Sequence, residues 1–92
     1  SMAKSHGAKP ATPEIDIHGM GRPDIERHVR RFINMAAAEG AHAVRVVHGS
    51  GHAAQRQALD SILDALDPVE SYHLVGAHGF GREATLVVLK RG

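Results

Sequence analysis

The stretch AVRVVHGSGHAAQRQALDSILDAL, residues 43–66, decides the fold of this chain of 92 residues. Residues 43–47 are rich in β-branched valine and predict a strand, which Gly49 and Gly51 break. Apolar side chains then recur at helical spacing, and Pro68 follows the end of the predicted helix. These apolar residues are Ala58, Leu59, Ile62, Leu63 and Leu66. A strand, a glycine-rich turn and a helix in this order are typical of one βα unit.

The same order of patterns precedes this unit. Residues 14–18 place Ile15 and Ile17 on one face, which predicts a short half-buried strand. Residues 19–22 form a loop, and Pro23 suits the first turn of a helix. Gly40 is placed to stop that helix. Its apolar residues at helical spacing are Ile25, Val29, Phe32, Ile33, Ala36 and Ala37.

The segments that follow complete a sheet. Residues 69–75 alternate as a third strand, residues 76–81 form a turn-rich loop, and residues 84–89 are an almost wholly apolar fourth strand. The order β-α-β-α-β-β predicts an α/β fold of the two-layer α+β type with a mixed four-stranded sheet. Helical crossovers make the first three strands parallel, and the short loop makes the last strand antiparallel. Its apolar run predicts a central position, strand order 1-2-4-3, and both helices on one face.

Composition narrows the class of protein. The length suits a single domain, and the absence of cysteine excludes disulfides and thiolate zinc sites. No apolar run approaches the roughly 20 residues that span a bilayer, so we expect a cytoplasmic, monomeric protein without membrane contact.

From Glu14 onward the chain has nine Lys and Arg and ten Asp and Glu, so its overall charge does not indicate nucleic-acid binding. We expect residues 1–13 to be a disordered tail in which Ser1-Met2 is typical of a cloning remnant, and residues 14–92 to form the domain.

The pattern His-Gly-x-Gly occurs three times at a spacing of 30 residues, at 18–21, 48–51 and 78–81. Because each copy follows a predicted strand, we expect the loops to meet at one edge of the sheet, where α/β proteins bind ligands. The first two copies also open helices, whose free N–H groups attract phosphate. We therefore expect His18 and His48 to line one groove, with His78 farther off. Two other interpretations stay open. The glycines can be ordinary turn residues between a strand and a helix, or the histidines can form a zinc site.

Charged residues near these loops add to the pattern. Asp16 shares a strand face with His18 and can orient its imidazole or hold it protonated; the alternative is a carboxylate that ends the strand in solvent. Arg22, Arg56 and Arg82 lie in or near the loops. Acidic residues gather at the opposite end, namely Asp64, Asp67 and Glu70. This separation of positive from negative charge would steer a phosphodiester toward the loops.

Three segments resemble the Smr (small MutS-related) domain family. Residues 15–19, IDIHG, resemble its Leu-Asp-Leu-His-Gly opening, residues 48–51 match its His-Gly-x-Gly motif, and residues 84–89 resemble its closing Gly-Ala-Thr-Val-Val strand. The resemblance covers residues 14–90. It implies a fold like the C-terminal domain of a bacterial translation initiation factor, and an association with DNA nicking or RNA cleavage, in some cases at stalled ribosomes. The family often continues Thr-Gly-x-Leu where this chain has HAAQ at 52–55, and Glu83 stands where its pattern has glycine.

Residues and resemblance together predict a nucleic-acid endonuclease that cleaves RNA in preference to nicking DNA. His18 and His48 would supply the general base and acid, with Asp16 orienting them. The predicted phosphate-binding residues are Gly19, Gly49, Ser50, Gly51, Arg22, Arg56, His78 and Arg82. We expect no cofactor, since the 2′-hydroxyl of RNA can be the nucleophile; weak assistance by a divalent ion such as Mg²⁺ is the alternative.

A binding module without catalysis is the alternative function, one that recognises nucleic acid or a ribosomal surface. The two hypotheses differ in what His48→Ala should do. Because His48 lies outside both apolar helical stripes, we expect this substitution to leave the domain folded and to lower cleavage.

Overall fold

The computed structural model describes residues 12–49, 53–76 and 83–91. Strands β1 (Glu14–Asp16), β2 (Ala43–His48), β3 (Val69–Gly76) and β4 (Glu83–Leu89) alternate with helices α1 (Arg22–Ala38) and α2 (Ala53–Asp64) in the predicted order. The predicted disordered tail, apart from residues 12 and 13, lies outside these ranges. Neither α1 nor α2 is long and apolar enough to cross a membrane.

The four strands form one sheet in the order β1-β2-β4-β3. β1 pairs with β2 in parallel, and β4 pairs antiparallel with both β2 and β3. The first three strands therefore run in the same direction, which confirms the predicted topology. The apolar composition of β4 suits its central place, because both of its edges carry a partner strand.

The hydrophobic core lies between the sheet and the two helices. Alternate residues of the central strands face it, Val44 and Val46 from β2 and Val87 and Leu89 from β4, because side chains alternate along a strand. Both helices enter the same cluster through Ile25, Val29, Ile33, Ala36, Leu59, Ile62 and Leu63. Both helices therefore pack on one face of the sheet, as predicted.

The two ends of α1 differ in how their backbone groups are satisfied. At the carboxyl end Gly40 adopts a φ of +83°, and the N–H groups of Gly40 and Ala41 return to Ala37 O and Ala36 O, both at 3.0 Å. This is the Schellman arrangement, and glycine adopts its left-handed conformation without strain. At the amino end Gly21 caps the helix without a side-chain hydrogen bond, so the first turn has no side-chain cap competing with an anion.

Four strand ends differ from the prediction by one or two residues, and those of β1 and β2 affect the candidate site. β1 stops at Asp16, and His18 lies in a turn where Gly19 has a φ of +80° and Met20 N donates to Ile17 O at 3.1 Å. β2 continues through His48, one residue further than predicted. Since strand side chains alternate, His48 shares the core-facing side with Val46.

Candidate nucleic-acid-binding site

The amino-terminal ends of α1 and α2 enclose a cleft of about 480 Å³, here named the motif cleft. Its walls are the turn after β1 and the first turns of the two helices. They meet because β1 and β2 are parallel and both helices start beyond the carboxyl edge of the sheet. The residues that line the motif cleft are Gly19, Met20, Arg22, Ile25, Ala54, Gln55 and Ala58.

Arg22 supplies positive charge to the motif cleft. It is the first residue of α1, and within residues 12–49, 53–76 and 83–91 its guanidinium has no ion-pair partner. Two of the other arginines of the same helix form ion pairs, Arg27 with Asp24 and Arg30 with Glu26. The free guanidinium and the uncapped first turn of α1 lie at the same end of the helix, where the helix dipole also favours an anion.

Asp16 and His18 form a contact pair at the sheet edge next to this cleft. The His18 backbone N–H donates to Asp16 Oδ1 at 3.0 Å, and His18 Nδ1 lies 3.1 Å from the same oxygen. A carboxylate only accepts, so the contact assigns the proton to Nδ1 and leaves Nε2 as the basic nitrogen. The side chain of His18 is 59% exposed and that of Asp16 41%. The predicted orienting contact is therefore present, with the imidazole open to solvent.

His48 is placed differently from the prediction. It is 1% exposed, with Nε2 2.9 Å from Thr85 Oγ1 on β4. Its Nδ1 is buried and has no hydrogen-bond partner among the described residues. His18 and His48 do lie at the same edge of the sheet, but only His18 faces solvent. The prediction that both line one groove is wrong, because β2 extends through residue 48 and turns that side chain toward the core.

Arg56 does not join Arg22 in the motif cleft. It lies on the other side of α2, where Arg56 Nη1 is 3.9 Å from Glu83 Oε1. Arg56 thus brings its positive charge to a second cleft. Burial raises the pKa of Asp60 in this cleft, and the nearby Arg56 opposes that rise. The second cleft is lined by Arg56, Asp60, Tyr72, His73, Leu74 and Thr85.

The remaining predicted site residues belong to, or directly follow, the second and third His-Gly-x-Gly motifs. Gly49 follows β2 and is half-buried. Ser50, Gly51, His78 and Arg82 lie outside the described residues, so their predicted phosphate contacts stay predictions. Among the residues that the structure does describe, no group of three or more histidine or acidic side chains is arranged to hold a metal ion.

Two side chains near the motifs were missed by the sequence analysis. Thr85 is hidden within the apolar run of β4, and only the strand register brings it to His48. Gln55 lies three and four residues before Ala58 and Leu59, so it shares their core-facing side of α2. A polar residue on an apolar helical face was a signal that could have singled it out.

The family model and the similar proteins all indicate the same family. The sequence model of the Smr domain matches residues 15–90. Endonuclease MutS2 of Lactiplantibacillus plantarum is 31% identical over 90 residues, 98% of this chain and 11% of that protein. Endonuclease MutS2 of Thermomicrobium roseum is 35% identical over 78 residues, 85% of this chain and 10% of that protein. The chain thus spans about a tenth of the length of these relatives.

A solved structure matches the fold. The crystal structure of the Smr domain of Thermus thermophilus MutS2 has a TM-score of 0.76 to this chain at 29% sequence identity. The match covers 86% of this chain and 99% of that one. The similarity therefore extends over the whole of that domain.

Proposed function

This chain belongs to the Smr domain family, and on that premise we propose that it binds nucleic acid and cleaves phosphodiester bonds, RNA in preference to DNA. The observation that carries the proposal is the motif cleft, which Arg22 and Gly19 line and whose Gly19 directly follows the solvent-facing pair of Asp16 and His18. Relatives that contain a similar segment bear the name endonuclease, which supports the same function.

Phosphate binding is the first step of the proposal. Arg22 attracts the anion, and the uncapped amino end of α1 offers backbone N–H groups to it. Gly19, with its positive φ and open surroundings, lets the nucleic-acid backbone approach the turn closely. These contacts recognise the sugar-phosphate backbone, so binding should depend little on base sequence.

Proton transfer is the second step, and His18 performs it. Nε2 of His18 accepts the proton of a ribose 2′-hydroxyl, while Asp16 holds the ring through Nδ1. The 2′-oxygen forms a bond to the adjacent phosphorus, the bond from phosphorus to the 5′-oxygen breaks, and that oxygen takes a proton from water. A 2′,3′-cyclic phosphate and a 5′-hydroxyl result. DNA has no 2′-hydroxyl, which supports the preference for RNA.

The burial of His48 favours a second candidate function, a binding module that does not cleave. With His48 covered, only His18 of the two predicted catalytic histidines is exposed for acid–base chemistry. Such a module would use the same motif cleft to bind RNA, including the RNA of a ribosomal surface. The two candidates share the phosphate contacts and differ only in the role of His18.

Cleavage of a labelled substrate tests the proposal. Purified protein would be incubated with end-labelled single-stranded RNA and with DNA of the same sequence, each with and without EDTA. We expect RNA cleavage that survives EDTA, and a rate in His18→Ala that is lower by roughly 10²-fold or more. His28→Ala is the matched control, since His28 is an exposed histidine of α1 outside the motif cleft.

The outcomes separate the two functions. RNA that binds but is never cut would support the binding module, and so would cleavage that is equal in wild type and His18→Ala, because a contaminating nuclease would explain it. Cleavage abolished by EDTA and restored by Mg²⁺ would replace the metal-independent step with a metal-assisted one.

A further inference from the structure

Gln55 links two walls of the motif cleft, the amino end of α2 and the turn after β1. Its side-chain Nε2 donates to Ile17 O at 2.9 Å and, more weakly, to Met20 O at 3.4 Å. These carbonyl groups flank His18 and Gly19 on either side. The amide of one α2 residue therefore holds both ends of the turn that carries His18.

The orientation of this amide follows from its surroundings. Both neighbours of Nε2 are carbonyl oxygens, which only accept, so exchanging the nitrogen and oxygen would place three oxygens against one another. The oxygen Oε1 is buried, and no residue in the described part of the chain offers it a hydrogen bond. A methionine or leucine would fill the same space without an orphaned acceptor, so the value of glutamine here lies in its two N–H donors.

The other hydrogen bonds of this turn do not connect it to α2. Ile17 O already accepts from Met20 N, and the His18 N–H is held by Asp16. Both of these bonds are internal to the turn, and neither connects it to α2. In the part of the chain that the structure describes, Gln55 makes the hydrogen bonds that tie the turn to the opposite wall of the cleft.

We propose that Gln55 is a positioning residue, which fixes the turn bearing His18 and Gly19 against the amino end of α2 and so sets the geometry of the motif cleft. This inference rests on the proposed function of that cleft. Gln55 touches neither phosphate nor the reacting atoms in this role. It acts through the turn, by keeping His18 and Arg22 at a fixed separation from α2.

The test compares variants of Gln55 with a matched control. Gln55→Met keeps the length of the side chain and removes both donors, whereas Gln55→Glu keeps its shape and polarity and has no donor at neutral pH. Gln57→Met makes the same exchange two residues later on α2, at an exposed position. Circular dichroism would establish that each variant is folded at 25 °C.

The main readout is hydrogen exchange of the free protein at pH 7, followed by NMR. In both Gln55 variants we expect the protection factors of the His18 and Met20 amides to fall by roughly five- to tenfold. This is the effect on an equilibrium constant of losing one ordinary hydrogen bond. Amides of β2 and of the middle of α1 should keep theirs. A general loss of stability would lower protection throughout the chain, and unchanged protection at His18 and Met20 would overturn the proposal.

Affinity for single-stranded RNA is the second readout. We expect Gln55→Met to bind roughly five- to tenfold more weakly than Gln57→Met at the same temperature. If hydrogen exchange shows that the turn has lost protection in Gln55→Met, yet Gln55→Met and Gln57→Met bind RNA equally well, the cleft does not need the hydrogen bonds of Gln55. That result would overturn the positioning role. If the wild-type protein binds no RNA, the proposed function fails, and hydrogen exchange alone then decides whether Gln55 holds the turn.

Discussion

Replacing His48 with alanine should destabilise the domain, contrary to the expectation drawn from its sequence position. The side chain is 1% exposed and its Nε2 contacts Thr85 Oγ1. Truncating a buried side chain of this size costs roughly 2–5 kcal/mol. The Thr85 hydroxyl loses its partner, which costs about 1–3 kcal/mol, and removal of the unpartnered Nδ1 offsets a similar amount. The net expectation is a loss of about 2–5 kcal/mol.

Urea denaturation followed by circular dichroism would measure this change in the free energy of unfolding. A domain of this size is stable by roughly 5–15 kcal/mol, and each lost kcal/mol lowers the melting temperature by about 4–8 °C. We therefore expect His48→Ala to melt at least about 8 °C below wild type. His28→Ala, at an exposed position of α1, should stay within about 0.5 kcal/mol of wild type.

A double-mutant cycle would locate the origin of the loss. Thr85→Val removes the hydroxyl and nearly conserves the volume, so the coupling energy with His48→Ala should be about 0.5–3 kcal/mol. If His48→Ala were as stable as His28→Ala, the burial of His48 would be refuted and the predicted solvent-facing role would return. If the loss is observed, reduced cleavage in His48→Ala cannot be attributed to catalysis without a correction for the unfolded fraction.

Three further predictions concern stability. Ile33→Ala should cost roughly 2–5 kcal/mol in urea denaturation, because Ile33 is fully buried in the core; a loss below about 1 kcal/mol would contradict this packing. Gly40→Ala should cost about 1 kcal/mol from its positive φ alone, because an added Cβ there meets no atom within 4 Å, and unchanged thermal stability would argue against the Schellman end of α1. The hydrogen bond from Tyr72 Oη to Asp64 raises the pKa of Tyr72 from 10.0 to about 12. The folded state then binds the phenol proton more tightly, so this stabilisation is complete below pH 10 and lost as the pH rises to 12. Tyr72→Phe should therefore lose less stability than wild type across that interval, and parallel pH profiles would contradict the contact.

The strand order and the bounds of α1 were predictable because they follow from local patterns and general sterics, whereas α2 ends at Asp64, before the predicted stop at Asp67-Pro68. The alternation of Ile15 and Ile17, the helical spacing of the apolar residues and the stop at Gly40 each specify one element. Right-handed crossovers then leave few ways to assemble them. The continuous apolar run at residues 84–89 indicated the central strand, since only a strand with neighbours on both sides and a covered face is so uniformly apolar.

The position of His48 could not be predicted in the same way. Side chains alternate between the two faces of a strand, so whether residue 48 continues β2 or begins the loop decides between core and solvent. Its contact with Thr85, 37 positions away, depends on the register of β2 against β4, which pairs Thr85 with Val46 on the same strand. Gln55 raises the same difficulty, because its partners Ile17 and Met20 lie on another element. The contact of Asp16 with His18, two residues apart, was predictable because it is local.

The salt dependence of RNA binding tests the central claim, that the motif cleft binds phosphate through Arg22. Fluorescence anisotropy would give the affinity of wild type, Arg22→Ala and Arg31→Ala for labelled single-stranded RNA at several salt concentrations. Arg31 is an exposed arginine of α1 outside the motif cleft and serves as the matched control. We predict weaker binding in Arg22→Ala on every RNA sequence, with a slope of log affinity against log salt that is shallower by about 0.7, the value of one phosphate contact on a single strand. Identical affinities and slopes for Arg22→Ala and Arg31→Ala would contradict the assignment of the motif cleft as the nucleic-acid-binding site.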